Sequence, residues 1–145
     1  MSATTTNLTH EFTQGSGRGA GRYPVAVSAS AIPKGVLVNA VKGTGYAQNG
    51  TDVSSGVFLG VSIEAVDNSA GAAGDKYIRV AKEGLWDFAA ASTAATRANF
   101  VGYDVYVYDN AHVDLVGVCS TGQVKVGRCV DVLASGLLLV DIVTA

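Results

Sequence analysis

Short apolar runs separated by turn residues recur along most of this chain. In KYIRVA, residues 76–81, the apolar Ile78 and Val80 occupy alternate positions, which is the two-residue period of a β-strand with one buried face. Runs rich in Val, Leu, Ile and aromatic residues follow one another to the C-terminus. The segments predicted to be strands are YPVAVSA (23–29), GVLVNAV (35–41), VFLGVSIEAV (57–66), KYIRVA (76–81), GLWDFAA (84–90), a hairpin within GYDVYVYDNAHVDLVGV (102–118), GQVKVGRCVDV (122–132) and GLLLVDIV (136–143).

The segments between these runs favour turns over helices. GTGYAQNGTDVSSG, residues 43–56, is predicted to be turn material because it contains an Asn-Gly pair, a favoured tight-turn dipeptide. AAASTAATRA, residues 89–98, has a helix-friendly composition but no large apolar residues at helical spacing, so we expect a loop or at most one helical turn. About eight or nine short strands predict an all-β fold, a compact β-barrel or sandwich.

The N-terminal region differs from this pattern. Residues 1–22 are polar, rich in Thr and Gly, and without periodicity, so we expect a flexible arm that is disordered alone and orders on a partner. Residues 23–145 would then form a single β domain, a size that can bury a core without disulfide bonds or metals.

A glycine-rich stretch, EFTQGSGRGAGRYPV at 11–25, raises the question of a phosphate loop. Its glycines recur at every second position from Gly15 to Gly21, and Ala20 breaks the G-x-G-x-x-G spacing of dinucleotide-binding loops. The chain contains no Gly-Lys pair, which a Walker motif requires. An arm that bends and lies on a partner therefore remains the favoured interpretation.

Charge and composition narrow the classes of partner. Only 15% of the residues are charged and the net charge is −2, so we expect no nucleic-acid binding, which needs a basic surface. We also expect no membrane association, because no apolar run reaches the length of a membrane span and the N-terminus does not resemble a secretory signal. Without such a signal, Cys119 and Cys129 are predicted to be reduced and buried in strands, with a cross-strand disulfide as the alternative.

The residues that could carry chemistry do not form a recognised motif. His10 is expected in the flexible arm, and His112 lies beside a hairpin turn. His112 could bind an ion loosely with Asp109 and Asp114, although solvated turn residues are the simpler interpretation. The spacing of these aspartates with Asp104 does not match a calcium loop, and no G-x-S-x-G elbow occurs. We therefore expect no enzyme activity, cofactor or metal.

The aromatic residues of the predicted strands indicate which strand faces are buried in the core or in a subunit interface. Trp86 and Phe88 fall on one strand face and are predicted to belong to the core or a subunit interface. Tyr103, Tyr106 and Tyr108 fall on both faces of their strand. At least one side should therefore be exposed or lie in an interface, and we assign Tyr106 to the core or a subunit interface.

YIRVAKEGLWDFAAA, FVGYDVYVYDNAHVDLV and VKVGRCVDVLASGLLLVDIV resemble a family of small β-rich phage head proteins that is often mislabelled as recombinase. The resemblance covers about residues 34–143. It implies a capsid decoration, or cement, protein that binds the major capsid protein on the outer surface of a tailed-phage head. It also implies a homotrimer at local threefold axes of the shell, and a virion protein made in the host cytoplasm.

The chain departs from this family in its long polar N-terminus. We expect the arm to order on the capsid by strand addition, with an aromatic anchor and arginines that pair with carboxylates. The alternative function is a virion surface adhesion or carbohydrate-binding module. The residues predicted to form the capsid-binding arm are Phe12, Gly15, Gly17, Arg18, Gly19, Gly21, Arg22 and Tyr23.

Overall fold

The computed structural model describes residues 3–10, 13–14, 20–27 and 31–144, with the backbone alone at 13–14. Its described residues are almost entirely in strands, turns and loops. The elements are β1 (Thr13–Gln14), β2 (Ala20–Pro24), β3 (Leu37–Val41), β4 (Ala47–Asn49), β5 (Gly56–Ser62), β6 (Tyr77–Ala81), β7 (Leu85–Ala90), α1 (Arg97–Phe100), β8 (Asp104–Val107), β9 (His112–Asp114), β10 (Lys125–Val132) and β11 (Leu138–Ile142).

The second half of the chain closes into a five-stranded β-barrel. Strands β7, β11, β10, β8 and β9 are paired in that order, and a parallel pairing of β9 with β7 completes the circle. β1 adds to the outside of this barrel by pairing with β7. The interior is filled by apolar side chains from every barrel strand, including Phe88, Val105, Val126 and Val140. Closure removes the free edges that a small sheet would otherwise expose.

The other sheet has the strand order β2-β6-β5-β3-β4 and packs against the barrel. Its strand β3, which lies between β5 and β4, is buried on both faces. Leu37 contributes to the barrel core, whereas Val38 and Val36, just before the strand, pack in a second cluster on the opposite side. A single parallel bridge between Val25 and Ala47 connects the region after β2 to β4. Burial on both faces explains why residues 36–40 are almost uniformly apolar instead of alternating.

The predicted all-β fold is confirmed, and several of its elements are correctly placed. β6 has the expected alternation of exposed and buried residues, and β8 and β9 form the expected antiparallel hairpin. The single helical turn, α1, overlaps the end of the segment where at most one turn was expected.

Three predicted boundaries are wrong. Residues 43–56 are not all turn, because β4 lies within them and pairs with β3. This short strand was not predicted because Gln48 and Asn49 are polar. In the structure the Asn49 side chain donates to the Ala31 carbonyl at 3.0 Å. β2 starts at Ala20, before the predicted strand, and β5 ends at Ser62, before the predicted end at residue 66.

Candidate functional site

Residues 3–10, here called the N-terminal strap, lie across both sheets of the body. The Thr4 amide donates to the Asn110 side-chain oxygen at 2.8 Å, and the Asn110 side chain donates back to the Thr4 carbonyl at 3.0 Å. Further along, the Leu8 amide donates to the Lys34 carbonyl at 2.9 Å. Asn110 belongs to the barrel hairpin and Lys34 precedes β3, so the strap joins the two halves of the fold.

His10 ends the strap in a buried position. Its ring contacts Trp86 and Phe88 edge-on, with ring centroids 5.1 Å away in both cases. Its Nδ1 atom lies against the Asp87 carboxylate and 2.8 Å from the Asp87 carbonyl oxygen, and its Nε2 atom is 2.9 Å from the Gly35 carbonyl oxygen. His10 was expected in the flexible arm, whereas the structure buries its side chain against the barrel. The only signal in the sequence was an acidic residue between two aromatics of a strand, because a buried carboxylate requires a partner.

The predicted arm residues fall into two groups. Phe12, Gly15, Gly17, Arg18 and Gly19 lie outside the described residues. Gly21, Arg22 and Tyr23 belong to β2 and pair with β6 in the body, so these three do not lie in a separate tail.

The three residues in β2 are held by specific contacts. A Cβ at Gly21 would lie 2.8 Å from the Tyr23 ring and 3.0 Å from the Lys82 side chain, so glycine leaves room for both. The Lys82 ammonium lies over the Tyr23 ring, 4.9 Å from its centroid. On the other face of the strand the Arg22 guanidinium lies over Tyr77, 4.4 Å from the ring centroid. Such cation–π contacts orient both cations.

Three aromatic residues were assigned to the core or a subunit interface. Phe88 is in the barrel core with 1% of its surface exposed. Trp86 is half-buried against that core, and its indole N–H donates to the Glu83 carbonyl at 3.2 Å. Tyr106 is also half-buried and lies opposite Lys125 on the neighbouring strand. A subunit contact at Trp86 or Tyr106 remains a prediction.

Of the residues considered for an ion site, Asp109 and His112 contact each other, whereas Asp104 and Asp114 have other partners. Asp104 lies between the cations of Lys125 and Arg128, at 3.3 and 3.5 Å. Asp109 accepts from His112 at 2.8 Å. Among the described residues, no three or more His, Cys, Asp or Glu side chains are grouped so that they could hold a metal ion.

The Asp114 carboxylate faces the loop after β7 and does not face His112. It is completely buried and accepts hydrogen bonds from the Ser92 and Thr93 amides at 2.7 and 3.0 Å and from the Leu115 amide at 2.8 Å. Burial raises the pKa of this carboxyl, but these hydrogen bonds outweigh burial and hold the pKa below its ordinary value. Asp114 therefore fixes the loop between β7 and α1 as a charged acceptor.

The two cysteines are unpaired and buried, as predicted. Burial, reinforced by the negative charge of Asp52, raises the pKa of the Cys119 thiol to about 12. Burial also raises the pKa of Cys129. Both side chains are thus neutral thiols at physiological pH, a form that is weakly nucleophilic.

Surface clefts flank the strap on both sides. One has a volume of about 380 Å³ and the other about 460 Å³, and Leu8, Thr9 and His10 line both of them.

Within the described ranges, no helix is long and apolar enough to cross a membrane. Comparisons with known protein families, with curated proteins and with solved structures gave no match to this chain.

Proposed function

We propose that this protein is a capsid decoration protein that binds the outer surface of a phage head and stabilises the mature shell by bridging capsid subunits. Its partner is the major capsid protein, and three copies assemble as a homotrimer on the shell. The role is mechanical, without enzyme activity. The motifs between residues 77 and 143 that resemble phage decoration proteins support this proposal.

The observation that carries the proposal is the division of the polar N-terminal region between the two sheets. β1 pairs with the barrel and β2 with the other sheet, so the glycine-rich residues 15–19 connect two fixed strands. A partner that binds this connection is thereby joined to strands in both sheets. Contact with a neighbouring capsid subunit would therefore be transmitted to the whole domain, as a clamp requires.

The adhesion alternative receives little support from Trp86. A carbohydrate-binding module commonly presents an exposed ring as a stacking platform. Trp86 is half-buried, and His10 packs edge-on against its ring. Its indole is therefore a poor candidate for that platform.

Stabilisation of the shell would follow from mass action. A protein that binds only the assembled state lowers the free energy of that state by an amount that grows with its concentration relative to its Kd. A small stabilisation from each copy is sufficient, because a capsid offers many equivalent sites and their contributions add. The chain needs no active site for this function.

The experiment is co-sedimentation of the purified protein with undecorated mature capsids, followed by heating of the complexes. We expect saturable binding near one copy per capsid subunit and rupture of decorated shells at a higher temperature than bare shells. Absence of binding at micromolar concentration would contradict the proposal.

A variant then tests the arm. Arg18→Glu should weaken capsid binding, because a carboxylate would replace a cation expected to pair with capsid carboxylates. Lys42→Glu, an exposed change in the turn after β3, is the matched control and should bind like the wild type. If the Arg18 variant binds capsids as tightly as the wild type, Arg18 does not contribute to the interface.

A further inference from the structure

β2 is the outermost strand of the five-stranded sheet, and its outer edge has an open stretch. The Val25 amide donates to the Lys76 carbonyl at 2.9 Å, which makes these residues a hydrogen-bonded pair of the β2–β6 ladder. Hydrogen-bonded and non-hydrogen-bonded pairs alternate in an antiparallel ladder. The main-chain N–H and C=O groups of Ala20 and Arg22 therefore point away from β6, where the described residues provide no neighbouring strand.

Pro24 is consistent with this edge. It occupies the same alternate set as Ala20 and Arg22, so the missing N–H of the proline falls on the outer side of β2. Proline within sheets is tolerated at such outward positions of edge strands. Beyond Pro24 the bridge from Val25 to Ala47 covers the edge, which limits the open stretch to the beginning of the strand.

The side chain of Arg22 adds a positive charge to the open stretch. Arg22 lies directly opposite Arg79 on β6, and two like charges at this position repel each other. Arg79 is neutralised by Glu64 at 3.6 Å, whereas no carboxylate among the described residues forms an ion pair with Arg22. Instead, its guanidinium stacks on Tyr77, which leaves the N–H donors at the rim of the group available.

We propose that the open edge of β2 is a docking site for an extended, acidic polypeptide segment of a partner protein. The segment adds as a strand, exchanges hydrogen bonds with the main chain of Ala20 and Arg22, and places a carboxylate on the Arg22 guanidinium. A capsid strand of this chemistry is one possible source, but the inference rests on the edge geometry and not on the decoration role.

A second copy of this chain fits the edge less well. Antiparallel pairing of two β2 edges centred on Arg22 would bring the two guanidinium groups opposite each other, and like charges directly opposite each other destabilise a sheet. An acidic strand has the complementary charge. The geometry therefore favours a partner that differs from this chain.

Amide hydrogen exchange of the free protein, followed by NMR, is the first test. We expect the amides of Ala20 and Arg22 to exchange rapidly, and the amides of Gly21 and Tyr23 to be protected by the ladder with β6. Protection of all four amides in the free protein would show that another part of the chain already covers the edge, and it would overturn the proposal.

Titration with a defined peptide is the second test. The probe is an N-acetylated and C-amidated Thr-Val-Thr-Asp-Thr-Val-Thr peptide, compared with the same peptide carrying Lys in place of Asp. The Asp peptide should shift and protect the amides of Ala20 and Arg22, and the Lys peptide should bind about tenfold more weakly. Equal binding of the two peptides, or no response at β2, would contradict the proposal.

Three variants distinguish the contribution of the Arg22 side chain from that of the outward main-chain groups. Arg22→Gln should weaken binding of the Asp peptide about tenfold, whereas Arg79→Gln, on the same face one strand inward, is the matched control and should bind normally. Ala20→Pro should also weaken binding, because it removes one outward N–H without interrupting the ladder to β6. Thermal unfolding checks that each variant is folded. An equal loss in the Arg22 and Arg79 variants would exclude a specific carboxylate site at Arg22.

Discussion

The imidazole of His10 lies against the carboxylate of Asp87, although 77 positions separate the two residues in the chain. Only 6% of the His10 side chain and none of the Asp87 side chain is exposed. Both ring nitrogens of His10 face oxygen acceptors, since Nε2 lies 2.9 Å from the Gly35 carbonyl oxygen. The contact fastens the end of the strap to the barrel.

Removal of this imidazole should destabilise the protein. We expect His10→Ala to lower the free energy of unfolding by about 3 kcal/mol, because a buried carboxylate loses a hydrogen-bonding partner. Urea denaturation followed by the fluorescence of Trp86, the single tryptophan, measures the change. Thr9→Ala, at an exposed neighbouring position, is the control. If both variants unfold like the wild type, the His10–Asp87 contact contributes nothing to stability.

Asp114 should make the stability depend on pH in the acidic range. The pKa of its carboxyl is lowered below the ordinary value of 3.8, so the folded state binds its proton less readily than the unfolded state. The stabilisation is therefore fully present above the unfolded pKa and is lost as the pH falls below about 4 and through the folded pKa.

The variant Asp114→Asn tests this dependence. At pH 7 we expect a loss of about 2 kcal/mol, because the amide loses the charge that strengthens the hydrogen bonds from residues 92, 93 and 115. The difference from the wild type should shrink at pH 3, when urea denaturation is compared at both values. Asp141→Asn, at an exposed position of β11, serves as control. A difference that is the same at both pH values would contradict the assignment.

Gly127 should tolerate no side chain. A Cβ at this position would lie 2.0 Å from the Asp141 carbonyl oxygen, on the backbone of the strand that pairs with β10. We expect Gly127→Ala to lower the free energy of unfolding by about 3 kcal/mol, since a backbone clash cannot be relieved by a side-chain rotation. Gly117→Ala is the matched control, because nothing lies within 4 Å of its added Cβ. Chemical denaturation measures the free energy of unfolding of the two variants. Equal stability of the two would contradict this prediction.

The two thiols should be unreactive in the folded protein. Burial raises the pKa of Cys119 to about 12 and also raises that of Cys129, so the thiolate that attacks disulfide reagents is scarce at pH 8. With Ellman's reagent we expect negligible reaction in buffer and two reacting thiols per chain after denaturation. Rapid reaction of the native protein would show that at least one thiol is accessible.

Much of the fold was predictable because one-sided burial leaves a local trace. In β6 the inward Ile78 and Val80 alternate with outward residues, and the alternation could be recognised without any knowledge of neighbouring strands. β4 was missed for the opposite reason. It contains only three residues, two of them polar, and its pairing depends on β3 on one side and the bridge from Val25 on the other.

The candidate sites were predictable only in part. Arg22 and Tyr23 were predicted from the composition of the arm to bind a partner, which stays a prediction, but their places in an edge strand were not predicted. The alternating direction of main-chain groups at this edge depends on the register between β2 and β6. Register is set by contacts between distant segments, and no local pattern in residues 11–25 encodes it.

The all-β fold could be predicted from the sequence, because alternating apolar residues and frequent turn residues are properties of local segments. Only the folded molecule shows that β7 and β9 close a barrel, that His10 is buried on Asp87, and that β2 is the last strand of the five-stranded sheet among the described residues. These features arise from pairings between residues far apart in the chain. Many local sequences are compatible with such pairings, and only the packing of the whole molecule selects among them.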